Sequence, residues 1–196
     1  MEIGVLALQR NFDDHISALQ ALEVKATQVR LPKQLLGLNG LIIPGGESTV
    51  IGKLATEFGL IDALREFGQL HAIWGTCAGA ILMSKTAGNP QPLLQLMDIQ
   101  VERNAYGRQI DSFEELLDIQ CLEKMGGENP LYRAVFIRAP RIHSVGSKVN
   151  VLARSAKGEI VAAQQGHFLA TTFHPEITND LRLHQYFLAL THITKT

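Results

Sequence analysis

Short β-rich runs alternate with segments of helical periodicity through the first half of the chain. Four such runs have the length and apolar character of buried strands, and they cover residues 3–8, 25–29, 41–43 and 72–74. Between the first two runs, Ile16, Leu19 and Leu22 recur at helical spacing. We expect Ser48 to cap a further helix, followed by a helical turn or two over residues 62–67. This rhythm is typical of a parallel sheet covered by helices.

From about residue 96 onward, β-rich segments replace the alternation of strands and helices. They predict strands over residues 97–102, 115–120, 135–137, 149–154, 159–164 and 168–173. The segment Ala156-Lys157-Gly158 lies between two of them and is typical of a hairpin turn, and residues 181–190 predict a final helix. The two halves together predict an α/β fold with three layers: a mostly parallel central sheet flanked by helices, with an additional antiparallel β portion.

Length and charge narrow the class of protein. The 196 residues fit one domain, which we expect to span residues 1–196, because no segment rich in Pro, Gly or Ser marks a boundary. A net charge of −1 gives no electrostatic case for binding nucleic acid or an anionic membrane surface. Five of the ten arginines nevertheless lie between Arg103 and Arg141, so that region could hold an anionic group.

Cysteine use and the N-terminal residues favour a cytoplasmic protein. The two cysteines, Cys77 and Cys121, resemble neither a disulfide framework nor a zinc-ligand spacing. The first residues lack the features of a signal peptide, and no apolar run is long enough to span a bilayer. We therefore expect a reducing compartment, no metal site and no cofactor.

The segment Trp74-Gly75-Thr76-Cys77-Ala78-Gly79 has the pattern of a nucleophile elbow, a sharp turn from a strand into a helix. Its two glycines provide the room that a tight backbone needs. Such a turn directs the Cys77 sulfur out of the sheet, and the N–H groups and positive dipole end of the next helix favour its thiolate. The same N–H groups could bind an oxyanion. A buried structural cysteine would produce the same pattern, so the elbow alone leaves both interpretations open.

A cysteine nucleophile needs a base, and His174 is the histidine with an acidic neighbour in a fixed relation. His174-Pro175-Glu176 directly follows an apolar strand, which would place His174 at the strand end where open α/β sheets hold their sites. Pro175 restricts the backbone, and the alternation of an extended chain would point both side chains the same way, so that Glu176 orients the imidazole. On predicted helices we expect solvated or half-packed histidines, and these are His15, His184 and His192. Histidines beside strand ends without such an acid are His71, His143 and His167.

The third motif, Pro44-Gly45-Gly46-Glu47-Ser48-Thr49, ends a strand with paired glycines and a helix cap. Paired glycines allow a tight turn whose N–H groups face a ligand. The spacing of a phosphate-binding loop is absent. A backbone donor for an oxyanion or an amino acid remains open, although an ordinary strand-to-helix turn explains the motif in isolation.

Taken in this order, the three motifs resemble the class I glutamine amidotransferase domain, whose triad is Cys, His and Glu. Longer blocks are similar to those of the glutaminase subunits of pyridoxal 5′-phosphate synthases and run from residue 4 to residue 176. Besides the three motifs, the blocks are Gly4-Val5-Leu6-Ala7-Leu8-Gln9, Glu102-Arg103-Asn104-Ala105-Tyr106-Gly107-Arg108-Gln109, Asp111-Ser112-Phe113-Glu114 and Phe136-Ile137-Arg138-Ala139-Pro140.

The resemblance implies hydrolysis of L-glutamine to L-glutamate and ammonia. It also implies a hetero-oligomer in which ammonia passes through a channel to a synthase subunit, a (β/α)8 barrel that makes the vitamin B6 cofactor. Cys77 would attack the side-chain amide, His174 would protonate the departing ammonia, and Glu176 would orient His174. Backbone oxyanion donors would come from Ala78 and from the turn at Gly45 and Gly46. The residues implied to contact glutamine are Gly46, Glu47, Ser48, Arg103, Ile137 and Arg138.

One departure and two alternatives accompany the resemblance. Arg10 stands where many relatives have glycine, near the expected partner interface or active-site mouth. A different cysteine hydrolase of related α/β fold would usually carry its base close after the elbow cysteine, whereas Ala78 follows Cys77. A non-catalytic binding module need not keep Cys77, His174 and Glu176 together.

Overall fold

The computed structural model describes residues 1–9, 11–102, 112–127 and 129–192. The strands in these ranges are β1 (Glu2–Leu6), β2 (Lys25–Val29), β3 (Gly40–Ile43), β4 (Ala72–Thr76), β5 (Ser84–Ala87), β6 (Met97–Glu102), β7 (Ser112–Leu117), β8 (Tyr132–Ile137), β9 (Arg141–Val145), β10 (Asn150–Arg154), β11 (Ile160–Gln165) and β12 (Phe168–Thr171). The α-helices are α1 (Phe12–Ala21), α2 (Ser48–Glu57), α3 (Leu60–Leu70), α4 (Ala78–Met83) and α5 (Arg182–Leu190). Short 3-10 helices cover Pro32–Leu35, Gln120–Met125 and Pro175–Ile177.

The central sheet has a parallel half and a mostly antiparallel half. Ten of the described strands belong to it, in the order β2-β1-β3-β4-β12-β11-β9-β6-β5, with β10 paired to β11. The strands from β2 to β12 pair in parallel. Across β11, β9 and β6 the pairing is antiparallel, and β7 with β8 forms a separate antiparallel sheet. The predicted α/β architecture, with its additional antiparallel portion, is confirmed.

Side-chain alternation along the strands divides the core into two layers. In β3, Leu41 and Ile43 pack into one layer and Ile42 into the other, as the two-residue period of a strand requires. Helices α2, α3 and α4 contribute to the first layer, and α1 and α5 to the second. The fully buried Trp74 keeps its polar atom bonded, because its indole N–H donates to Thr171 Oγ1 at 3.1 Å. None of the described helices has the length and apolar character needed to cross a membrane.

Three neighbouring parallel strands end at the same edge of the sheet. The Gly45-Gly46 turn follows β3, Cys77 follows β4, and His174 follows β12. Because β4 pairs in parallel with both β3 and β12, the carboxyl ends of these strands lie side by side. Sheet topology therefore brings together three motifs that are far apart in the sequence.

Some local predictions were wrong. Glu47, not Ser48, occupies the N-cap position of α2, and the Ser48 hydroxyl instead donates to Gln91 Oε1 at 2.9 Å. The strand predicted over residues 115–120 lies at Ser112–Leu117 and is followed by a 3-10 helix. Strands β5 and β9 were missed, because both are rich in polar residues and owe their conformation to pairing with β6.

Candidate active site

Cys77 lies at the corner between β4 and α4 in a strained backbone conformation. Its φ of 49° and ψ of −107° lie where residues other than glycine are rarely found. Its N–H donates to the carbonyl oxygen of Thr171 at 2.8 Å, which ties the corner to β12. A Cβ on Gly75 would collide with the backbone of Gly79, and one on Gly79 would collide with the carbonyl oxygen of Ile43. The corner thus has the geometry of a nucleophile elbow, and its two glycines are required by close backbone packing.

His174 and Glu176 form a hydrogen-bonded pair next to this corner. The imidazole Nδ1 lies 2.7 Å from Glu176 Oε1, and both side chains are buried. The His174 N–H donates to the carbonyl oxygen of Val135 at 2.8 Å, which anchors the segment to β8. The 3-10 helix Pro175–Ile177 then brings the carboxylate back to the imidazole. The expected proximity is present, but a helical turn produces it, and the extended alternation that we predicted is wrong.

The electrostatics of the pair favour a charged imidazole. Burial alone would lower the pKa of His174, but hydrogen bonds to Cys77 and Glu176, together with the negative charges of these groups, raise it to about 10. Burial alone would raise the pKa of Glu176, but His15 and His174 beside it hold that pKa below its usual value. Since Nδ1 is bonded to Glu176, Nε2 is the nitrogen available to the Cys77 sulfur. The arrangement can accept the thiol proton and keep it as an imidazolium.

A cavity of about 230 Å³ opens beside these side chains. It is smaller than the ~300–1,000 Å³ typical of ligand pockets, so it suits a small metabolite. Most of the predicted site residues line it, namely Gly46, Glu47, Ser48, Cys77, Ala78, Ile137, Arg138, His174 and Glu176. Gly45 is adjacent to His174 and Cys77, because a Cβ on Gly45 would come within 2.7 Å of His174 Cε1 and 3.4 Å of Cys77 Cβ. Arg103 and Arg10 lie outside the described residues.

Among the described arginines of the arginine-rich region, Arg138 faces the cavity. It follows directly after β8 and has a φ of 44°, a second strained position at the site. Arg133 and Arg141 from the same region pair instead with Glu114 and Glu102, each at 2.7 Å. Arg138 therefore supplies a guanidinium to the cavity wall, where it can bind a carboxylate in bidentate fashion.

The Gly45-Gly46 turn is held by the side chain of Gln9, three residues after the end of β1. Gly46 has a φ of 146°, and the N–H of Glu47 donates to Gln9 Oε1 at 2.8 Å. A Cβ on Gly46 would collide with that same amide oxygen. The turn therefore requires glycine, and Gln9 fixes its outgoing backbone. Within the described ranges, no group of three or more His, Cys, Asp and Glu side chains is arranged to hold a metal ion.

The burial of two histidines was predicted wrongly from the sequence. His15 on α1 and His184 on α5 are completely buried, not solvated or half-packed. His15 Nε2 lies 3.4 Å from Glu176 Oε2, and His15 Nδ1 lies 3.0 Å from His184 Nε2. Burial holds the pKa of both histidines below its usual value. The signal was present, since His15 precedes the buried Leu19 by four residues and so shares its helix face.

Further cavity residues were not among the predicted site residues. They come from the start of α1, from α4 and from the loops after β8 and β12, and they are Asn11, Asp14, Ile81, Pro140 and Ile177. Their side chains have no common chemistry, and only the sheet topology brings them to one place.

Comparison with known proteins gives a consistent result. The model of the family described as "SNO glutamine amidotransferase family" matches residues 5–192. The chain is 54% identical to "Pyridoxal 5'-phosphate synthase subunit PdxT" of Pelotomaculum thermopropionicum, over 96% of this chain and 94% of that protein. It is 52% identical to the protein of the same name from Herpetosiphon aurantiacus, over 97% of this chain and 100% of that protein.

Solved structures agree with the sequence comparisons. A structure described as "Crystal structure of glutamine amidotransferase" is 47% identical and superposes with a TM-score of 0.89, covering 97% of this chain and 99% of that chain. "Structure of PurLQS from Thermotoga maritima" is 15% identical with a TM-score of 0.71, covers 96% of this chain and 97% of that chain, and shows similarity of fold alone.

Proposed function

Because the chain belongs to the SNO glutamine amidotransferase family, we propose that it is the glutaminase subunit of a pyridoxal 5′-phosphate synthase. In this function it hydrolyses L-glutamine to L-glutamate and ammonia and supplies the ammonia to a synthase subunit for vitamin B6 biosynthesis. The observation that carries the proposal is the strained Cys77 corner, with His174 hydrogen-bonded to Glu176 and lining the same small cavity as Cys77.

Acylation uses Cys77 as nucleophile and His174 as the proton carrier. The thiol proton passes to His174 Nε2, and the sulfur attacks the side-chain amide carbon of glutamine. The C–N bond then breaks, the nitrogen takes the proton from the imidazolium, and ammonia leaves a thioester on Cys77. The raised pKa of His174, about 10, favours the protonated imidazole on which this transfer depends.

Deacylation reverses the roles around a water molecule. Water attacks the thioester carbon as His174 takes one of its protons, and the C–S bond breaks to give glutamate and the Cys77 thiolate. Glu176 stays ionised and keeps the imidazole oriented in both steps. An oxyanion forms in each step. We assign its binding to the backbone N–H groups of Ala78 and of the turn at Gly45 and Gly46. Gly46 and Ala78 line the cavity with Cys77, which supports this assignment.

Substrate binding is assigned to the remaining cavity wall. Arg138 would pair with the α-carboxylate of glutamine, because a guanidinium and a carboxylate form two parallel hydrogen bonds. Gly46, Glu47, Ser48 and Ile137 would contact the rest of the molecule, and Arg103 is proposed from the resemblance alone.

Residues 1–196 are proposed to act as one glutaminase domain in a hetero-oligomer with the synthase subunit. A cytoplasmic location is supported by the two cysteines, which are both free thiols and suit a reducing compartment. A purely binding function would not require a strained cysteine, an oriented imidazole and a buried carboxylate next to one another at the same cavity. The geometry thus favours catalysis over a non-catalytic module.

The test is glutamate production from L-glutamine by the chain, with and without the cognate synthase subunit. The expected result is activity that increases with the partner and is lost in Cys77→Ala, while Cys77→Ala still binds the partner. Full activity in Cys77→Ala would refute the mechanism. Absence of activity with and without the partner would refute the glutaminase assignment.

A further inference from the structure

Two buried histidines continue the polar contacts of the triad into the core. Glu176 Oε1 is bonded to His174, whereas Oε2 is buried and has no hydrogen bond of ordinary geometry among the described residues. His15 Nε2 faces this oxygen at 3.4 Å, and Thr76 Oγ1 lies at the same distance from Nε2. His184 Nε2 lies 3.0 Å from the other nitrogen of His15. A continuous line of polar atoms therefore runs from His174 to His184.

The positions of the protons along this line follow from burial. A neutral imidazole has one N–H and one acceptor nitrogen, and burial keeps both histidines neutral by lowering their pKa. His184 Nδ1 is buried without a hydrogen-bond partner in the described part of the chain. An unpaired N–H there is less favourable than an unpaired acceptor, so the His184 proton belongs on Nε2, where it donates to His15 Nδ1. His15 then carries its own proton on Nε2, which faces both Thr76 Oγ1 and Glu176 Oε2.

Aromatic packing restricts the orientation of both imidazole rings. Trp74 packs edge-on against both imidazoles, with ring centroids 5.7 Å from His15 and 5.0 Å from His184. Neither histidine lines the cavity. Any effect of His15 on the reaction must therefore pass through the residues that it contacts, of which Glu176 carries the charge, and not through contact with substrate.

We propose that His15 is a positioning residue of the glutaminase, an inference that rests on the proposed function. Its Nε2–H stabilises the negative charge on Glu176 Oε2 and so keeps Oε1 on the Nδ1–H of His174. His184 acts one step further back by fixing the tautomer of His15. The buried carboxylate thus has an imidazole on each side: His174 is hydrogen-bonded to Oε1, and His15 Nε2 lies 3.4 Å from Oε2.

The test compares His15→Gln with His15→Asn in the complex with the synthase subunit. The amide nitrogen of Gln reaches the position of Nε2 and can still face Glu176, whereas that of Asn reaches only the position of Nδ1. Both substitutions put an uncharged amide at the same buried site, and thermal unfolding of each variant measures its effect on folding. His143→Asn, at an exposed position on β9, is the control for a histidine substitution elsewhere.

The expected result is that His15→Gln retains most of the wild-type kcat. His15→Asn should lose about tenfold or more in kcat, the size expected when a buried charged group loses its polar neighbour. KM for glutamine should be unchanged in both variants, because His15 does not contact the cavity. His184→Leu should also lower kcat, as His15→Asn does.

Equal kcat values for His15→Gln and His15→Asn, whether high or low, would overturn the proposal, as would a change confined to KM. The proposed function fails by a different result: a wild-type complex without glutaminase activity, or activity that survives Cys77→Ala. Once the wild-type complex shows activity that depends on Cys77, the comparison of His15→Gln with His15→Asn tests the positioning role of His15 alone.

Discussion

Nδ1 of His174 and Oε1 of Glu176 lie 2.7 Å apart although only Pro175 separates the two residues in the chain. The 3-10 helix that starts at Pro175 makes this approach, and a backbone hydrogen bond to Val135 of β8 fixes where the turn begins. The orientation of the base is thus set by a local segment of chain and by one strand of the smaller sheet. Cys77 is positioned by a different element, β4. Substitutions can therefore change the position of the imidazole without changing the strand that carries the cysteine.

Replacing Glu176 with Gln should abolish most of the activity and leave substrate binding largely intact. The amide keeps the size of the side chain but removes the charge that helps to raise the pKa of His174 to about 10, so that pKa should fall. Loss of the acid from a comparable triad costs up to about 10⁴-fold in kcat, and we expect a loss of about 10²- to 10⁴-fold here. Steady-state kinetics and NMR titration of His174 measure the two effects. Glu66→Gln, on the exposed face of α3, should behave as wild type; an active Glu176→Gln would show that the carboxylate has no catalytic role.

Replacing Gly45 with Ala should displace the catalytic imidazole. The new Cβ would lie 2.7 Å from His174 Cε1, well inside van der Waals contact, so the ring must move. We expect kcat to fall by about tenfold or more, with a destabilisation of about 1–3 kcal/mol from overpacking. Gly88→Ala is the matched control, because a Cβ there meets nothing within 4 Å. Activity assays and thermal unfolding of the two variants give the comparison, and unchanged activity in Gly45→Ala would mean that the site tolerates a shifted imidazole.

The parallel half of the fold could be predicted because its strands are short, apolar and separated by amphipathic helices. The sequence could not reveal β5 or β9, whose polar residues adopt strand conformation because β6 pairs with both and β11 also pairs with β9. The same limit applies to Ser48, which has the chemistry of a cap but forms its hydrogen bond with Gln91. Local preference gave way to tertiary contacts at each of these positions.

That Cys77, His174 and Glu176 lie close together could be predicted because each belongs to a motif with local stereochemical meaning. Gly75 and Gly79 mark the corner at Cys77, and Pro175 marks the turn that joins His174 to Glu176. His15 and His184 could not be assigned in this way, because no local pattern connects residues 169 positions apart. Their contact exists only once α1 and α5 pack on the same face of the sheet.

Replacing Arg138 with Gln should weaken glutamine binding more than it slows the chemistry. The guanidinium lines the cavity, and we propose that it binds the substrate carboxylate. A hydrogen bond to a charged group contributes about 1.5–3 kcal/mol, so KM should rise by about ten- to a hundredfold with a smaller change in kcat. Arg133→Gln removes an exposed arginine that pairs with Glu114 and should leave KM unchanged. If both variants bind glutamine equally well, the carboxylate is recognised elsewhere.

Replacing His184 with Gln should make the protein less sensitive to acid. The pKa of His184 in the folded state lies well below the ordinary value of 6.5 because of burial. As the pH falls below 6.5, the unfolded chain therefore binds a proton at this position before the folded chain does, and stability is lost by at most about 1.4 kcal/mol per pH unit. His174 has the opposite shift, so its contribution is complete below 6.5 and is lost only as the pH rises towards about 10. Urea unfolding at several pH values between about 5 and 6.5 measures how the free energy of unfolding depends on pH. This free energy should fall with decreasing pH more steeply in the wild type than in His184→Gln, by about 1 kcal/mol per pH unit. The exposed His143→Gln should run parallel to the wild type, and parallel curves for all three proteins would mean that His184 is protonated equally in the folded and unfolded states.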